Sequence, residues 1–156
     1  MNKLLINLLS HKKNCLEAYE SLSYQLLNSE IEALNDIFDQ RESIIEKINF
    51  LDNDINRTVN SVENKDDYLE CLKPNNIVSI KPNLSDVYEA YQLNYDSLLN
   101  IQSLEKTINQ HLKSLKEELS HNLAEVQNVS KIKKYFETFE TEINDLSDIS
   151  QKTTKI

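Results

Sequence analysis

Glu118-Leu-Ser-His121 is the short pattern in this 156-residue chain whose residue types and spacing best suit metal chemistry. Side chains three apart share a helix face, and di-metal helical bundles bind their ions through such Glu-x-x-His pairs. Those centres draw on two copies of the pair and on carboxylates from two further helices, whereas this chain has one copy. Glu118 and His121 therefore read as a surface pair. His111 and His121 do not stand at the i, i+4 spacing of a helical zinc pair, and His11 stands alone beside Lys12. Cys15 and Cys71 are far apart and form no C-x-x-C pattern, so they read as reduced, structural cysteines. No metal site and no cofactor are expected.

Glycine is absent from the chain. Phosphate-cradling loops, dinucleotide fingerprints and nucleophile elbows all need glycine where the backbone turns sharply or meets a ligand closely. The many carboxylates are scattered over solvent-facing positions, and general acid–base work needs a concave, water-excluding pocket. The chain is not read as an enzyme. Its formal charge of −9 argues against nucleic acid, which demands a concentrated basic surface, and Lys131, Lys133 and Lys134 have acidic neighbours. No apolar run approaches the roughly 20 residues that span a bilayer, and the N-terminal run is interrupted by Asn2, Asn7 and Ser10 with no small-residue cleavage site after it. A soluble, cytoplasmic protein without membrane insertion is expected.

With no glycine and only Pro74 and Pro82, the chain lacks the punctuation of a β or α/β fold. The apolar spacing predicts an all-α single domain over 1–156: a long antiparallel helical hairpin, coiled-coil-like, with room for a third, C-terminal helix. The first helix is expected over about 3–62. Its row runs Leu8, Lys12, Cys15, Tyr19, Leu22, Leu26, Ser29, Ala33, Ile37, Ile44, Ile48, Leu51, Ile55, Val59, Val62, in steps of three and four with one longer step between Ile37 and Ile44. Such a helix would be about 90 Å long at about 1.5 Å per residue. Its solvent face is acidic, with Glu30, Glu32, Asp36, Asp39, Glu42 and Glu46 against Arg41 and Lys47. A linker follows over about 64–83, holding a short turn capped by Asn64 and an extended Ile77-Val-Ser-Ile80. The second long helix is expected over about 85–128, opened by Ser85, and a C-terminal helix over about 131–148 after a phase shift near 128–130.

The stretch from Tyr24 to Ile55 resembles the flagellar export chaperones of the FlgN/FliT type, through Leu27, Glu30, Leu34, Arg41, Ile44, Ile45, Ile48 and Leu51. These match the family's run of spaced leucines, acidic residue, then a basic residue followed by aliphatics. The resemblance, closer to the FlgN group, implies a small cytoplasmic helical chaperone. It would bind the C-terminal region of hook-associated (hook–filament junction) proteins, prevent their premature assembly and deliver them to the type III export apparatus. It also implies that a tyrosine near the C-terminus docks the export gate, and Tyr135 is the residue that matches.

An amphipathic client helix needs an apolar groove that takes anchors at i, i+3, i+4 and i+7. Ile108, Leu112, Leu115, Leu119, Leu123 and Val126 are the row expected to line it, and packing against the first helix is the competing role for each of them. Phe136 and Phe139 share a face suited to core packing. The alternative function is a structural coiled-coil homodimer or adaptor with no client, which the same heptads would serve.

Overall fold

The computed structural model describes residues 1–122 and Glu137. The described chain is helical, in four α-helices: α1 (Asn2–Asn28), α2 (Ile31–Asn60), α3 (Lys65–Cys71) and α4 (Ser85–Asn122). Among the described residues there is no strand, and no helix is long and apolar enough to cross a membrane. The all-α class expected from the spacing is therefore what the chain adopts.

The helix expected over 3–62 is divided. Ser29 and Glu30 leave the helical region with ψ of 151° and 160°, and the chain turns back on itself between Asn28 and Ile31. The cause is local. Asn28 donates to the carbonyl of Tyr24 and Ser29 to that of Gln25, so two end carbonyls of α1 find side-chain partners. Burial then favours the turn, because a straight helix of that length would leave its wide apolar stripe in water, whereas α1 and α2 folded together cover each other. Glu30 has φ of −74° and follows an extended residue, which are the conditions proline requires. Glu30→Pro is expected to keep the fold and raise stability by about 0.4–1 kcal/mol. In a continuous helix it would cost about 3 kcal/mol, so the sign of the change in urea midpoint tests the turn.

α4 runs beside α1 in the same direction and α2 runs opposite to both, giving an up-down-up three-helix bundle. The register is read from contacts. Asn2 donates to the carbonyl of Asn83, and Asn94 donates at 3.0 Å to the carbonyl of Leu9. The core falls into three apolar layers. At the bottom, Leu5 and Leu9 meet Ile55, Val59, Val87 and Tyr91. In the middle, Leu16 and Tyr19 meet Ile45, Ile48, Leu98 and Ile101. At the top, Leu22 and Leu26 meet Leu34, Ile37, Phe38, Leu104, Ile108 and Leu112.

The connector between α2 and α4 is packed where an extended linker was expected. Tyr68, Cys71, Leu72 and Leu84 close the bottom of the core. Tyr68 donates at 2.6 Å to Asn2, and Lys81 pairs with Asp67 at 2.8 Å. Ile77–Ser79 forms a single 3-10 turn, not an extended run, and Asn64 precedes α3 without a side-chain cap. Asn75 takes the left-handed conformation, φ 55°, that asparagine tolerates better than most residues.

Candidate functional site

α4 is the longest helix, 38 residues and about 57 Å. In the register set by Asn94 and Leu9, the end of α1 lies level with about Leu112, which is the last fully buried residue of α4. Residues 113–122 continue past the α1–α2 turn for about 15 Å. This division decides the fate of the row expected to hold a client. Ile108 and Leu112 are 0% and 2% exposed beneath Leu22, Leu26, Leu34 and Phe38. They are core residues, and a client cannot reach them without opening the bundle. Leu115 is half-buried at the edge of the top layer, and Leu119 is half-buried but belongs to none of the three layers. Leu123, Val126 and Tyr135 lie outside the described residues, as do Phe136 and Phe139.

Two charged layers separate the apolar ones, and each draws on all three long helices. In the lower, Lys12 of α1 pairs with Asp52 of α2 at 2.6 Å, both nearly inaccessible, and the buried Asn94 of α4 bonds the carbonyl of Leu9, three residues before Lys12. In the upper, Arg41 of α2 is fully buried. It donates to Glu105 of α4 and, at 2.5 Å, to the hydroxyl of Tyr19 of α1, whose ring centroid lies 4.5 Å from the guanidinium carbon. Arg41 was expected on the acidic solvent face. It lies instead in the buried row of α2, between Ile37 and Ile45. Burial raises the Glu105 carboxyl above its ordinary range, partly offset by Arg41. The phenol of Tyr91 is also raised, by burial first and then by Tyr95 and Asp52.

Compared with known protein families, curated proteins and solved structures, the chain matches none. Among the described residues no three His, Cys, Asp or Glu side chains gather closely enough to hold a metal ion. Glu118 and His121 are exposed on the projecting end of α4, and His111 is half-buried. Burial raises the Cys15 thiol despite nearby Lys47, and burial with Asp67 and Glu70 pushes Cys71 up to about 11. At neutral pH both are thiols, which are poor nucleophiles.

An open depression of about 660 Å³ lies on the described surface between α1 and α2. His11, Asn14 and Cys15 of α1 form one wall. Ser43, Glu46, Lys47, Phe50 and Leu51 of α2 form the other, and Phe50 stands 64% exposed. The heptad pattern did not single out this face, because in a continuous helix Cys15 and Leu51 belong to the seam row. The turn at Ser29 moves them to its edge.

Proposed function

We propose that the chain is a binding protein of the flagellar export chaperone kind, holding the C-terminal region of a hook-associated protein in the cytoplasm and releasing it to the type III export apparatus. The observation that supports this most is the projecting end of α4. Its apolar residues Leu115 and Leu119 continue the buried row past the point where α1 and α2 can cover it. In sequence the row goes on to Leu123 and Val126. An amphipathic client helix laid along this ridge would bury the anchors that the bundle covers only in part. Tyr135 is the residue proposed to meet the export gate, by resemblance.

Co-purification with the C-terminal regions of hook-associated and filament-cap proteins, read by light scattering, tests the reading. A discrete complex with a junction protein is expected, and added client should raise the melting temperature, since a ligand of the folded state stabilises it by mass action. Leu119→Glu is expected to weaken that complex at least about tenfold, or about 1.4 kcal/mol. The same variant should melt within about 1 kcal/mol of the parent, because the site is half-exposed. A structural homodimer or adaptor with no client is the second reading, and the burial of Ile108 and Leu112 inside the chain's own core, out of a client's reach, favours the lack of a client. It predicts an unchanged melt with every candidate client.

A further inference from the structure

We infer that the outward face of α2 is a self-association surface, on which two copies of the chain meet antiparallel across a two-fold axis between Glu46 and Lys47. Asp36, Asp39, Ser43, Glu46, Phe50, Asp54 and Arg57 repeat in steps of three and four, with Lys47 beside them, on the side of α2 opposite its buried row. The face is thus a second seam, laid along the outside of the bundle. A two-fold interface must be complementary to itself, so each residue can be checked against the one it would meet.

The pairing that centres the axis on Glu46 and Lys47 sets Phe50 of each copy over Ser43 of the other. A large, exposed aromatic ring then lies over the depression that Ser43 and Cys15 help to line. The charges agree with this register. Glu46 of one copy meets Lys47 of the other beside the axis. The outer pairs, Asp39 with Asp54 at about 11 Å and Asp36 with Arg57 at about 16 Å from the axis, fall where crossing helices diverge, and Arg57 already bonds Asp54 within its own chain. In a chain of net charge −9, most surfaces repel a second copy. Besides His11, the lining of the depression carries one acid and one base, Glu46 and Lys47. A contact built on one aromatic anchor and one helix face is small, and such contacts are weak and reversible, so dissociation in the range of about 10–100 µM is expected.

The inference does not depend on a client, and its test is separate. Sedimentation of the full chain from micromolar to about 0.5 mM should show a monomer–dimer equilibrium. Phe50→Glu should raise the dissociation constant at least about tenfold. Glu46→Lys places only bases at the axis and Lys47→Glu only acids, so each variant alone should be monomeric. An equimolar mixture of those two should recover a dimer, because each copy then meets its opposite. All three side chains are exposed, so melting should be unchanged; if Phe50→Glu fails to fold, the charge variants carry the test. A wild-type monomer throughout the range overturns the inference, and leaves the face to another partner or to solvent. A dimer that survives Phe50→Glu, or two charge variants that ignore each other when mixed, also overturns it.

Discussion

Arg41→Met is expected to lower the stability of the chain by about 3–5 kcal/mol, the largest effect of any single charge removal in the bundle. The reason is what remains. Glu105 is buried on α4 and bonded to Arg41, and its Oε2 has no partner among the described residues. Removing the guanidinium leaves a carboxylate in the core with neither solvent nor counter-charge. Burial already raises this carboxyl above its ordinary 4.5 in the presence of Arg41, and losing Arg41 removes an influence that lowers it. The sign of the pH dependence follows. A carboxyl whose folded pKa exceeds its unfolded value binds more protons in the folded state, so its contribution is most favourable below about pH 4.5 and is lost as pH rises through the folded pKa. The variant should therefore lie nearest the wild type in acid and fall behind toward neutral pH.

The double variant Arg41→Met, Glu105→Leu removes both charges and should recover most of the loss, or exceed the parent, since apolar replacement of a buried ion pair is often neutral or stabilising. Urea unfolding of the parent, the single variant and the double variant at pH 5 and pH 7.5 checks all of this. A single variant that loses under about 1 kcal/mol at both pH values, with no recovery in the double, would place Arg41 in solvent. The same comparison bears on register. Each charged layer joins α1, α2 and α4, and sliding α4 by a turn would separate Glu105 from Arg41 and Asn94 from Leu9 together. That supports a role for the layers in fixing one alignment of three similar apolar stripes.

How far this arrangement could be read from the sequence differs by element. Absence of glycine, two prolines and steps of three and four were enough for the helical class, because these act within single segments. Lys12 stood in the seam row as a polar residue, and its burial against Asp52 is what a register-setting position does. Arg41 looked like a surface residue for a physical reason. Its partner Glu105 is sixty-four positions away in sequence and comes near only after two reversals of the chain. The turn at Ser29 and Glu30 had a local signal, since Asn28-Ser29 are weak helix formers and Ser29 with Glu32 has the spacing of a helix start. The apolar period outweighed it, because leucine and isoleucine on both sides keep nearly the same phase across the break. The client row shows the same limit. Periodicity identified Ile108 to Val126 as one stripe, but which part is covered depends on where α1 and α2 end.

That boundary gives the second large effect. Along α4, Ile108→Ala and Leu112→Ala are each expected to cost about 2–5 kcal/mol, for they remove methyl groups from a layer that α1 and α2 enclose and leave a cavity behind. Leu119→Ala, two turns further on, should cost less than about 1 kcal/mol, because its side chain is partly in water and outside the layer. Leu115, packed at the edge, should fall between them. Chemical denaturation of the four variants at matched conditions measures the profile, and its steepness reports where the bundle stops supporting α4. If Leu119→Ala costs as much as Leu112→Ala, the ridge is covered and has no apolar surface to offer a client. If Ile108→Ala and Leu112→Ala are both mild, α4 is not clamped by α1 and α2, and the whole row becomes available as a groove. Binding should separate from stability in the expected case. Substitutions below Leu112 would weaken a client complex only through unfolding, recoverable at low temperature, whereas those at Leu115 and Leu119 would weaken it in a fully folded chain.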